Sequence, residues 1–226
     1  AMNEYYNKTG KKAILYLENG SLAKYYAGAT HPTRDPQTGQ MVMLNEKMIE
    51  MLIPLFKAQP CIEDCKMWKD EMIGIDLNKI REAGIDTSKG CISRWYFWVF
   101  PDLACDLTQK WLVVPETDKD LAKGKIIISR SERYLNEHIN YSFLKKYESE
   151  IVFIGTELEH SIFKLRFGLN IPHLIVNDFL ELAQAISQSR FHISNQTMAF
   201  QISQGLKQPR ILEMCSWANN VIPVGE

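Results

Sequence analysis

The sequence predicts an α/β fold whose second half is a doubly wound parallel sheet. Three observations carry that expectation. From residue 125 onward, short β-branched or apolar runs alternate with helix-compatible stretches; those stretches have apolar faces at helical spacing; and the most polar segments sit where strands end. Strands separated by helices of this length form right-handed βαβ units, which give a parallel sheet covered on both faces.

Along the chain, "KKAILYLENG" predicts a buried strand over Ala13 to Leu17 that ends at an Asn19-Gly20 turn. "HPTRDPQTGQ", with two prolines and a glycine, predicts an exposed, mobile loop. "NEKMIEMLIPLFKA" places Met48, Met51, Leu52, Leu55 and Phe56 at helical spacing after Asn45 as a cap, and Pro54 is expected to kink or end that helix. "IEDCKMW" and "IGIDL" predict further strands, and the aromatic run "WYFWVF" a strand buried on both faces. The charged stretch "PETDKDLAKGK" marks a boundary between a domain over 1–118 and another over 119–226. Beyond it come "KIIISRS", a helix-compatible stretch to Tyr147, "EIVFIG", the helical "TELEHSIFKLRFG" and the third strand "PHLIV". The helix "NDFLELAQAISQS" follows, with Asp178 and Glu181 at capping-box spacing, and "RFHIS", "PRILE" and "NVIPV" complete the strands.

Composition narrows the function. With 46% hydrophobic residues in 226 the chain can bury a core, and 26 basic against 27 acidic residues leave no electrostatic footprint for nucleic acid. No run approaches the roughly 20 apolar residues of a membrane span, and the polar start "AMNEYYNKTGKK" lacks the apolar core of a secretion signal, so a cytoplasmic protein is expected. The five scattered cysteines suit reduced thiols. Cys61 and Cys65 have no second pair or nearby histidine to complete a zinc site, and His138, His160, His173 and His192 show no ligand spacing; no metal is expected. The sequence contains no phosphate-binding P-loop, serine-hydrolase elbow or zincin motif.

In an open parallel sheet of order 3-2-1-4-5-6, strands one and four are neighbours whose chains leave in opposite directions, opening a ligand crevice at their carboxyl ends. Here strand one ends in "SRSER" and strand four in "SNQT". The free N–H groups of the helix after Thr197 favour an anion, with Ser194, Asn195, Gln196 and Thr197 as added polar contacts and Arg130, Ser131 and Arg133 opposite. Gly155 supplies a turn after strand two. Glu213, at the end of strand five, can accept hydrogen bonds from a ribose diol. Capping by Ser194 or Asn195, surface arginines and a solvated Glu213 are the plainer alternatives.

The same segments, "KIIISRSERY", "EIVFIGTELE" and "DFLELAQAISQSRFHISNQTMAFQISQGLKQPRILE", resemble the nucleotide-binding half of GT-B glycosyltransferases of the ADP-heptose:lipopolysaccharide heptosyltransferase type. The resemblance implies a pair of Rossmann-like domains, the first on the acceptor side and the second binding a nucleotide sugar. Thr197 supplies the motif hydroxyl and Pro209 the closing turn; Gln196, Met198 and Gln201 replace the family's Asp, Gly and His. More weakly, "AILYLENGSLAKYY" is similar to the family's first strand and acceptor-side loop, with Asn19, Gly20 and Ser21 in the loop and Lys24 where the family has its general-base Asp. A protonated lysine cannot take a proton, which leaves His31, in the loop after strand one, as the candidate base.

The implied activity is transfer of a sugar from a nucleoside-diphosphate donor to a hydroxyl of a carbohydrate or glycoconjugate, with no further cofactor. A non-catalytic nucleotide- or glycan-binding module of degenerate GT-B fold is the alternative.

Overall fold

A computed structural model of the chain describes residues 1–23, 33–86, 90–218 and 221–222. The expected parallel α/β architecture is present. Strands β3 (Ile126–Ser129), β4 (Ile151–Phe153), β5 (Phe191–Asn195) and β6 (Arg210–Glu213) form an all-parallel sheet in the order β4-β3-β5-β6. Helix α4 (Glu157–Phe167) follows β4, α5 (Phe179–Gln188) precedes β5, and α6 (Met198–Leu206) joins β5 to β6.

Register and the two-residue strand period sort the side chains onto two faces. Ile127 pairs with His192, and His192 with Arg210, so these three share one face. There Ile127 packs with Ala183, Ala185 and Ile186 of α5 and Ala199 and Ile202 of α6. Ile126, Ile128 and Ile193 lie on the other face, against Tyr141 and Leu144 of the 3₁₀ helix Tyr141–Glu150 and Phe163 and Phe167 of α4. Burial on both faces explains the unbroken Ile-Ile-Ile of β3.

The third expected strand is reduced to a single bridge, His173 to Phe153. Pro172 brings no N–H to extend the ladder, although its carbonyl accepts from Phe153 N. Of "NVIPV", Val221 and Ile222 are not in a strand, and the other three residues lie outside the described ones.

Helix ends follow local chemistry. Thr156 and Glu159 form a reciprocal capping box at α4, and Gly168, at φ 65°, closes it in the left-handed region. At α5, Asp178 caps Glu181 N, but the Glu181 carboxylate turns to Asn177 N and Nδ2, so the box expected from the Asp178–Glu181 spacing is only half formed.

In the first half, β1 (Ala13–Leu17) pairs parallel with β2 (Ile62–Met67), joined through α2 (Glu46–Lys57), while Met2 and Tyr6 of α1 (Met2–Thr9) pack on the cluster around Cys61, Ile62 and Cys65. Among the described residues this half therefore has one βαβ unit. Asn45 caps α2 as expected through Met48 N. Pro54 does not end α2, which runs on to Lys57; the proline brings no N–H to the ladder, but its carbonyl still accepts Ala58 N. "IGIDL" is not a strand but leads into a 3₁₀ turn over Leu77–Arg81. The aromatic run is helix α3 (Ile92–Val99), with Trp95 buried and Trp98 56% exposed, because a one-sided helix face satisfies these rings without a partner strand. Residues 33–40 of the proline-rich loop are largely exposed, as expected.

The halves touch through α2 and α5, where Leu55 enters the same core as Ala183 and Ile186. Gln59 donates from Nε2 to Val113 O and accepts Val113 N on Oε1, both at 3.0 Å. Nearby, Trp111 N and Leu112 N both donate to Gly205 O of α6. A Cβ at Gly205 would lie 2.9 Å from Leu112 Cβ, so this close approach requires glycine.

Candidate functional site

Strand β3 is the switch point of the large sheet: β4 lies on one side of it and β5 on the other. Ser129 pairs directly with Ser194, so the segments that follow Ile128 and Ile193 lie side by side at the carboxyl edge. The pleat then divides their polar side chains between the two faces.

On the α4 face, Arg130 and Glu213 are both buried, at 2% and 1% exposure. Arg130 Nε donates to Glu213 Oε2 at 2.6 Å and Nη2 to Oε1 at 3.0 Å, a bidentate fork. Tyr141 Oη donates to Oε2 at 2.8 Å and Asn136 N to Oε1 at 2.7 Å, so the carboxylate accepts four hydrogen bonds. Burial and the adjacent Glu213 charge push the Tyr141 hydroxyl pKa well up, which keeps it a donor. Most of the guanidinium expected to face a phosphate is thus engaged by the carboxylate expected to face a ribose. Arg130 Nη1 has no hydrogen-bond partner among the described residues and stands 3.9 Å from Glu132.

Asn195 and Gln196 are buried and act as braces. Asn195 Nδ2 donates to Ser131 O at 2.9 Å and Arg133 O at 2.6 Å, while its Oδ1 accepts Ser131 N at 3.2 Å. Gln196 Nε2 donates to Ala218 O and its Oε1 accepts Cys215 N, tying down the chain beyond β6. Replacing Asn195 with alanine leaves the half-buried peptide groups of Ser131 and Arg133 without these partners; a loss of about 1–2 kcal/mol in unfolding free energy is expected in urea titration. A change under about 0.5 kcal/mol, the size of an ordinary surface substitution, would show that the loop is held by other means.

The α6 face is less saturated. Ser194 Oγ and Thr197 Oγ1 lie 3.1 Å apart, and Thr197 occupies the cap of α6 without a side-chain cap bond. No hydrogen bond from the first-turn N–H groups of Met198, Ala199 or Phe200 occurs among the described residues. Ser129 Oγ, across the register from Ser194 and buried at 5% exposure, has no partner there either. Unpaired N–H groups at a helix start, beside a buried unpaired hydroxyl, form an environment that favours an anion.

Above β5 the loop after β3 carries Ser131, whose hydroxyl bonds within the loop to Arg133 O, and Arg133, whose guanidinium lies 4.4 Å from the centre of the Tyr134 ring. Gly155 follows β4, where its carbonyl accepts from His173 Nε2. In the first half, Asn19 and Gly20 turn the chain after β1, with Gly20 at φ 74° and its N–H on Leu44 O, and Ser21 O accepts Met43 N. Lys24 and His31 lie outside the described residues. Asp35 holds a turn through Thr38 and Gln37, and the Thr38 hydrogen bonds push its pKa down, away from service as a base.

Comparison with protein-family models, with curated proteins and with solved structures returned no match. The functional reading therefore rests on geometry. Among the described residues, no His/Cys/Asp/Glu group of three or more could hold a metal ion, and no helix is long and apolar enough to cross a membrane. A shallow groove of about 450 Å³ on the outer side of α4, lined by His160, Lys164 and Asn170 among others, lies away from the strand ends. Tyr141 and Asn136, central to this edge, carry no signal in the sequence, since nothing local links them to Glu213; Ser129 belongs to the polar strand end the sequence shows.

Proposed function

We propose that this chain is a cytoplasmic glycosyltransferase with a GT-B-like pair of domains, using a nucleoside-diphosphate sugar as donor and a carbohydrate or glycoconjugate hydroxyl as acceptor. The observation that carries the reading is the pairing of Ser129 with Ser194 at the switch point, which sets a buried unpaired hydroxyl beside the open first turn of α6. In this reading Thr197, Ser129 and the α6 N–H groups hold the diphosphate, with Ser131 and Arg133 at its edge, while Arg130 is held by Glu213 on the other face. Glu213, Asn195 and Gln196 keep the strand ends in place. The acceptor oxygen bonds to the anomeric carbon as the sugar–phosphate C–O bond breaks. The nucleoside diphosphate leaves with the bonding electrons, and the acceptor proton passes to a base, for which His31 is the candidate.

Isothermal titration with nucleoside diphosphates and their sugars tests the reading. At least one is expected to bind the native chain and to lose about tenfold in affinity on Thr197→Val, which removes a hydrogen-bonding group. The absence of any binding would end the proposal. The engagement of Arg130 by Glu213 and the lysine at position 24 favour a second reading, a binding module without turnover. Donor binding without transfer to any acceptor selects it.

A further inference from the structure

We infer that the carboxyl edge carries a stacking site for the aromatic base of a nucleotide, formed by Trp217 with Tyr134 and Arg133. This rests on the nucleoside-diphosphate reading and deepens it, since it names the residues that take the base, a site that a lipid diphosphate or a bare sugar phosphate would leave unused.

Tyr134, in the loop after β3, and Trp217, beyond β6, pack with ring centres 5.5 Å apart, and the Arg133 guanidinium covers the Tyr134 ring. Trp217 is nevertheless 65% exposed, leaving a large planar surface in solvent. Its backing is fixed. Asn136 Nδ2 bonds Met214 O and Asn136 N bonds Glu213, strapping the Tyr134 loop to the chain that carries Trp217; Gln196 pins that chain again at Cys215 and Ala218.

Tyr134 also sits at φ 57°, a left-handed conformation uncommon for a bulky side chain, and the Asn195 hydrogen bonds to the loop hold it there. A flat ring on so rigid a support binds another flat ring at small entropic cost. Neighbouring strands lie roughly 4.8 Å apart, so the β6 end stands one to two strand spacings from the β3/β5 crevice, a separation that ribose spans between base and phosphate.

Titration of the full chain with inorganic pyrophosphate, a panel of nucleoside diphosphates and farnesyl diphosphate, on the native protein, Trp217→Ala and Trp217→Phe, tests this. The best nucleoside diphosphate is expected to bind more tightly than pyrophosphate, to lose about tenfold on Trp217→Ala and to recover most of that on Trp217→Phe, while pyrophosphate affinity stays unchanged. Pyrophosphate and nucleotides binding alike, or equal weakening of both by Trp217→Ala, would overturn the stacking site and leave the diphosphate crevice standing. Tighter binding of farnesyl diphosphate than of any nucleotide would overturn it too. No binding of any probe would remove crevice and stacking site together. Unchanged melting of the two variants, as expected for an exposed side chain, keeps these outcomes free of folding effects.

Discussion

Replacing Glu213 with alanine is expected to lower the unfolding free energy by about 3–5 kcal/mol. The reason is asymmetric. In the native chain the carboxylate takes four hydrogen bonds and neutralises Arg130 in a site where neither side chain reaches solvent. Removal leaves a buried guanidinium without its counter-charge and a Tyr141 hydroxyl and Asn136 N–H without an acceptor. Replacing both charges, as Arg130→Met with Glu213→Leu, removes the unpaired charge as well and is expected to cost markedly less than Glu213→Ala alone. Urea unfolding of the singles and the double reads this directly. A loss under 1 kcal/mol for Glu213→Ala, or a double variant as weak as the sum of the singles, contradicts the role assigned to the pair.

The second large effect is a loss of stability in mild acid that traces to His192. This histidine is fully buried in the centre of β5, and neither ring nitrogen has a hydrogen-bond partner among the described residues. Burial, with the neighbouring Arg210 charge adding to it, pushes its pKa from 6.5 down to about 3. The unfolded chain therefore binds a proton below pH 6.5 that the folded chain refuses. Stability is full above pH 6.5 and falls by up to about 1.4 kcal/mol per pH unit until the folded group titrates near 3.

Acidic groups with lowered pKa values, such as Glu181 and Glu137, add their own losses only below about 4.5. Between pH 6.5 and 4.5 the loss of about 2 kcal/mol is His192's, and His192→Leu is expected to flatten the curve there. Equal acid sensitivity in the two proteins, measured by urea unfolding across that window, contradicts the assignment.

Much of the fold was legible in the sequence because the second half writes its strands in β-branched runs and separates them with one-faced helices. The strand order around the switch point and the meeting of the segments after Ile128 and Ile193 followed from topology alone. Where the reading failed, the local signal was ambiguous. Six consecutive large apolar residues fit a buried strand as well as a helix, and in α3 the exposed Trp98 shows which won. "PHLIV" has strand composition, but its proline limits it to one bridge.

The site was harder still. Polar strand ends announce a polar edge, yet whether a side chain faces a ligand or another side chain depends on partners distant in the chain. Arg130 and Glu213 are 83 positions apart, and no window that shows one shows the other. Asn195 reads as a ligand group for the same reason, and its amide is taken up holding a loop more than 60 positions away.

Gln59 presents its amide to Val113 as a length of main chain would, giving and receiving at the same residue. An ordinary side-chain contact tolerates sliding; this one does not, because a shift of one residue breaks both bonds together. Gln59 thus keys the end of α2 to the strip of chain that α6 grips through Gly205 O, so residues 111–113 serve the small sheet's helix and the large sheet's helix as a common rail.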